Sequence, residues 1–164
     1  MIVGVTGHRP NKLWGYGEDA KIPEEKMRVY FMNTLLGMKA TEAITGMALG
    51  VDTVYARAVL GLKDMGYGVK LTCAIPCRNH SSKWKSHKAI DEYNYILSRA
   101  DKVVLVSDCD YNNAVMQLRN EWIVDNSDVI IAVWDGSRGG TVNCVKYAKA
   151  RNKELRYVRP FIFN

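Results

Sequence analysis

Thr45-Gly46-Met47-Ala48-Leu49-Gly50-Val51-Asp52 joins a short apolar run, Glu42-Ala43-Ile44, to Thr53-Val54-Tyr55-Ala56-Arg57-Ala58-Val59-Leu60, which has the composition of a helix. A strand that turns through two glycines into a helix brings backbone N–H groups together with little side chain in the way. The helix dipole adds partial positive charge at the same point, so an anion such as phosphate can sit there. Alone, such a turn is as often purely structural. Two more turns of similar chemistry strengthen the ligand reading here: Thr6-Gly7-His8-Arg9, and Asp135-Gly136-Ser137-Arg138-Gly139-Gly140-Thr141.

Outward from that stretch, the chain alternates between strand and helix. Ile2–Thr6 is a first strand. Pro23 to about Lys39 reads as a helix with acids near its start, where the dipole favours them. After the Thr45–Asp52 turn, a helix to about Met65 is broken by Gly66-Tyr67-Gly68, and Val69–Ile75 forms a third strand stopped by Pro76. Tyr93, Ile96, Leu97 and Ala100 fall at helical spacing, and Lys102–Ser107 is a fourth strand. Asn113–Asn126 reads as a helix with Val115, Leu118, Trp122 and Ile123 on its buried face and Arg119 and Asn120 off it. Asp128–Trp134 is the most hydrophobic strand and is expected inside the sheet. A helix to about Arg151 and an edge strand at Leu155–Val158 complete the pattern. About six strand–helix alternations predict an α/β fold, a single Rossmann-like, doubly wound, mainly parallel sheet flanked by helices in one domain, 1–164. In such sheets ligands bind beyond the carboxyl ends of the strands, where all three glycine turns would open.

Composition narrows the function without choosing it. Of 164 residues, 48% are hydrophobic and 24% charged, as in ordinary globular proteins, and no apolar run is long enough to cross a bilayer. Cys73, Cys77, Cys109 and Cys144 lack zinc spacing and read as reduced thiols, so a cytoplasmic protein without a metal or membrane partner is expected. The net charge of +6 suits an anionic partner, nucleotide or nucleic acid.

Candidate contacts follow from residue chemistry. Arg9 could pair with phosphate through its planar fork. His8 could touch a ligand, move a proton or serve the turn. Asp52 could take ribose hydroxyls or act as a helix-terminal cap. Trp84 and Trp134 could stack on a base, and Trp14 and Tyr16, in the glycine-rich loop 11–21, could do the same or pack onto the domain. Arg78, His80, Lys83, Lys85, His87 and Lys88 around Trp84 form either a solvated loop or a nucleic-acid surface.

The three turns carry a resemblance. Thr45–Asp52 resembles the S/T-G-x-A-x-G-I/V-D motif of DprA/Smf proteins, and Asp135–Thr141 the glycine-rich turn shared by DprA and the lysine-decarboxylase-like LOG proteins. Thr6-Gly7-His8-Arg9 is similar to the T-G-x-R/K pattern of YpsA-type members. The chain is thereby identified as a member of the SLOG superfamily of Rossmann-like domains, in its YpsA-like branch. The resemblance implies a nucleotide-type ligand of the NAD, ADP-ribose or cyclic-nucleotide kind, and no cofactor beyond it is assigned. It would be captured or sensed by Gly7, His8, Arg9, Gly46, Met47, Ala48, Gly50, Asp52, Trp84, Arg119, Trp134, Asp135, Gly136, Gly139, Gly140, Thr141 and Asn143. A homo-oligomer is expected, and family analogy extends to antiphage defence or counter-defence signalling. LOG members release the base from nucleoside monophosphates with an arginine, matched by Arg119, and a glutamate in P-G-G-x-G-T-x-x-E. Cys144 stands at that glutamate's place, and the proline is missing. A thiol cannot stabilise positive charge developing on ribose. N-glycosidic hydrolysis, the alternative, would need Asp52, Asp125 or Asp135 instead. Single-stranded nucleic-acid binding through the Arg78–Lys88 segment is the second alternative.

Overall fold

The computed structural model describes residues 1–164. Six strands, β1 (Ile2–Gly7), β2 (Glu42–Thr45), β3 (Lys70–Ile75), β4 (Lys102–Leu105), β5 (Val129–Val133) and β6 (Glu154–Val158), form one sheet in the order β4-β3-β2-β1-β5-β6. Every neighbouring pair is parallel. Five α-helices make the crossovers: α1 (Lys21–Gly37), α2 (Val51–Asp64), α3 (His87–Arg99), α4 (Asn113–Asp125) and α5 (Gly140–Ala150). The fold is the expected Rossmann-like, doubly wound α/β sheet, with β5 inside it and β6 at an edge.

Side-chain alternation along the strands divides the interior between two faces. Val3, Val5, Ala43, Leu71, Ile131 and Val133 pack with α1 and α2, where Met27, Phe31, Leu35 and Tyr55 are fully buried. Ile44, Ala74 and Ile130 face α4 and α5 through Ile123, Val124, Cys144 and Ala148. Tyr55 also ties α2 to the sheet, its hydroxyl donating to the Val3 carbonyl at 2.7 Å. Winding runs outward from β1 to β4, then returns to the other side of β1 for β5. The strand order therefore reverses between β1 and β5, and a crevice opens above their carboxyl ends.

Local differences from the sequence reading have local causes. Helix α1 starts at Lys21, ahead of Pro23, because the first turn of a helix tolerates a residue without an N–H. Helix α4 is rotated from its expected face: Leu118 is exposed and Arg119 buried. A carbonyl at the end of β2 draws Arg119 inward, as described below. In loop 11–21 Trp14 is packing: its indole N–H donates to Asn164 Oδ1 at 2.7 Å and its ring meets Phe163 edge-on.

Candidate functional site

A cleft of about 560 Å³ lies at the β1/β5 reversal, a volume in the usual range for small-molecule sites. Its floor is the end of β1, Val5 to Gly7, with Asp52 of α2; its walls are Arg9, α4 and the start of α5. Of the residues expected from sequence, Gly7, His8, Arg9, Ala48, Asp52, Arg119, Gly139, Gly140, Thr141 and Asn143 line it. Gly46, Met47, Gly50, Trp84, Trp134, Asp135 and Gly136 do not.

The turn after β2 is bonded largely to itself. Met47 N–H donates to Thr45 Oγ1 at 3.3 Å, and Ala48 N–H to the Asp52 carboxylate at 3.2 Å. The Thr45 hydroxyl donates to the Asp52 carbonyl at 2.9 Å, and Thr53 Oγ1 to the Ala48 carbonyl at 2.8 Å. Val51 N–H donates to the His8 carbonyl at 3.2 Å, tying this turn to the one after β1. Gly50 sits at φ 92°, and a Cβ there would lie 2.5 Å from the His8 carbonyl oxygen, so the motif's second glycine is required by both conformation and space. The first, Gly46, lies so close under Arg119 that a Cβ would come within 2.5 Å of its Nη1.

Arg119 is 4% exposed. Its Nη1 donates to the Gly46 carbonyl, and its Nε to Asn120 Oδ1 at 3.1 Å, leaving Nη2 without a partner in the protein. Burial raises the pKa of Asp52 and lowers that of Arg119, and each charge partly counters the other's shift. The carboxylate is also held by the Ala48 N–H and by the field of Arg9.

The turn after β5 differs. His8, also buried, donates from Nε2 to Asp135 Oδ1 at 2.8 Å, so its ring bridges the two turns. Bonds from Ser137 and then His8 hold the Asp135 carboxyl well below the usual carboxylate range. Lys12 Nζ donates to Ser137 Oγ at 3.1 Å and to the Arg138 carbonyl. These contacts brace the loop, yet the first bond into α5 runs from Asn143 N–H to the Gly139 carbonyl. The N–H groups of Gly140, Thr141 and Val142 are therefore left open at the positive end of the helix dipole.

Trp84 forms an edge-on cluster with His80 and Tyr93, with ring centroids 5.1–5.6 Å apart. Trp134 donates its indole N–H to the Ser137 carbonyl at 2.8 Å and leans on Tyr157. Both are packing residues here. Cys144, on the buried face of α5, has its thiol pushed up to about 11, which keeps it neutral. The sequence reading missed Lys12, Tyr111, Asn113, Met116, Gln117 and Asn120, all of which line the cleft. The last four recur at i, i+3, i+4 and i+7 of α4, a spacing that marks one helix face.

The family model of the YspA SLOG family (YpsA) matches residues 3–162. The chain belongs to that family. Among relatives, the SPbeta prophage-derived protein YoqJ of Bacillus subtilis is 35% identical over 117 residues, 65% of this chain and 68% of YoqJ. A UPF0398 protein of Bacillus cereus (strain G9842) is 26% identical over 98% of this chain and 89% of its own length. DNA processing protein A from Helicobacter pylori, solved for its single-stranded DNA binding mode, superposes with a TM-score of 0.66 at 16% identity. DprA from Streptococcus pneumoniae gives 0.63 at 19%. The SLOG chain spans 64% and 49% of those two proteins, and the likeness is one of fold. No helix is long and apolar enough to cross a membrane.

Proposed function

We propose that the cleft binds a nucleotidyl ligand by its phosphate. The observation carrying this reading is the convergence of groups that the protein leaves unbonded: the Arg9 guanidinium, Nη2 of Arg119, and the first-turn N–H groups of α5 around Gly139, Gly140 and Thr141. Together they offer charge and directed donors to an anion in a partly enclosed space. Two sources would supply the same chemistry. The DprA-like fold, and the single-stranded DNA binding for which the Helicobacter protein was studied, support a nucleotide within a single strand. The basic segment Arg78 to Lys88, which leaves the same end of the sheet, would extend the contact along the backbone. The size and depth of the cleft support a free nucleotide derivative, of the NAD or ADP-ribose kind, and the prophage origin of YoqJ fits a role in phage–host conflict. Turnover by N-glycosidic hydrolysis would fall to Asp52, the one carboxylate in the lining.

Thermal-shift titration with NAD, ADP-ribose, AMP and a short single-stranded oligonucleotide, followed by chromatography of the recovered ligands, tests the proposal. A raised Tm that Arg9→Gln abolishes supports the cleft as the site. No shift with any of them, at low salt, rejects the proposal. Recovery of free base points to hydrolysis.

A further inference from the structure

The α4 wall of the cleft is unlike its phosphate end. Asn113, Met116, Gln117 and Asn120 form one face of the helix, while Val115 and Ile123 turn to the interior. Asn112 already caps the helix by accepting from Val115 N–H at 2.9 Å, so the amide of Asn113 is not needed there. The side-chain amides of Asn113 and Gln117 bond to no other part of the protein. Asn120 accepts from Arg119 through Oδ1, which fixes its amide and leaves the NH₂ donors free. A solvated helix face carries charged side chains as readily as amides, yet this one presents amides beside a thioether, and Gln117 is half-buried. Met116 and the ring of Tyr111 add apolar surface on the same side.

A phosphate, whose oxygens accept, would use the NH₂ of each amide and leave its carbonyl unmatched. A nucleobase uses both. Its edge presents donors and acceptors side by side, and an amide offers one of each in the same plane. Asn and Gln match adenine in particular, accepting from N6 and donating to N7. We infer that the α4 face reads the base, with Gln117 and Asn113 as the specificity-determining side chains and an adenine nucleotide as the preferred ligand. The inference rests on the nucleotidyl reading above and adds the identity of the base to it.

Calorimetric titration of the full chain with AMP, GMP, UMP, ribose 5-phosphate and a short oligo-deoxyadenylate tests it. AMP is expected to bind about tenfold or more tightly than ribose 5-phosphate or UMP, the penalty for leaving built hydrogen-bonding groups unmatched. Gln117→Leu is expected to bring AMP to within about twofold of ribose 5-phosphate while leaving ribose 5-phosphate unchanged. Asn113→Leu, at an exposed position, serves as the second variant should the first melt early. Equal binding of AMP and ribose 5-phosphate, or an adenine preference that survives both substitutions, overturns the inference while phosphate binding still stands. Failure of every ligand to bind removes both. If the oligomer outcompetes AMP but keeps the Gln117 dependence, the base is read from a strand; equal affinity per site assigns a free nucleotide, and either result supports the α4 face as the reader.

Discussion

Arg119, in the middle of α4, donates its Nη1 to the backbone carbonyl of Gly46, at the end of β2. One buried side chain thus joins the helix that walls the cleft to the turn that floors it. It also fixes the rotation of α4, and with it which side chains of that helix face the ligand.

Removing this tie is expected to be costly. Arg119→Met leaves the Gly46 carbonyl without its donor and Asp52 with only the weaker field of Arg9. The expected loss is about 1–3 kcal/mol, read as a lower urea midpoint at unchanged m. Combined with Asp52→Asn, the loss should be smaller than the sum of the two, because the second change removes the uncompensated charge.

Gly50 and Gly66, two of the five positive-φ glycines, should separate strain from crowding. Both have φ near 90°, but only at Gly50 would a Cβ meet backbone, the His8 carbonyl oxygen at 2.5 Å. Gly66→Ala is expected to cost about 1–2 kcal/mol, from conformation alone. Gly50→Ala should cost distinctly more and lower the Tm further; equal losses would show that the turn yields.

Acid sensitivity should trace to His80. This histidine is 7% exposed, and burial lowers its pKa to about 3. Below an unfolded value near 6.5 the unfolded chain takes up a proton that the folded chain refuses, so stability falls as pH drops from about 6.5 to about 3. Asp52, whose pKa is raised by burial, acts with the opposite sign, favouring the fold most where it is protonated and less as pH rises through its folded pKa. His80→Asn is expected to flatten the decline between pH 6 and 4, measured by urea unfolding at a series of pH values.

Salt should distinguish the two sources of ligand. A single nucleotide held mainly by Arg9 and the α5 terminus has few phosphates to neutralise. A strand running over Lys83, Lys85 and Lys88 as well would lose affinity with a log–log slope of about −0.7 for each phosphate contacted. Replacing those three lysines by glutamine should flatten the slope for an oligonucleotide and leave AMP binding untouched.

The sheet was legible because strand and helix patterns alternate cleanly, and Val129–Val133 is apolar at every position, as only a strand covered on both faces can be. The glycine turns were legible as turns. What they do was less so. A side-chain partner for a backbone carbonyl leaves no trace in sequence, so Arg119 read as a polar residue off the apolar stripe. In the Thr45–Asp52 stretch, the clearest motif, the N–H groups of Met47, Ala48 and Val51 are bonded within the protein, whereas the first three N–H groups of α5 are all open. Tryptophan's size made Trp84 and Trp134 look like base platforms, while packing accounts for both. The amides of α4 passed for solvent-facing residues because no pattern of periodicity says which polar face a neighbouring loop will enclose.

Strand β1 lies beside β5, pairing Val3 with Val129 and Gly7 with Val133. Three further strands and four α-helices lie between them in the chain, so the pairing joins segments far apart in sequence. Such distant pairings form slowly. During synthesis β1, β2 and β3 can associate early, but the cleft lacks its Gly139–Asn143 wall until α5 has left the ribosome. A nascent or C-terminally truncated chain would therefore bury much of the α1–α2 face and still be unable to hold the ligand, so binding reports completion of the fold.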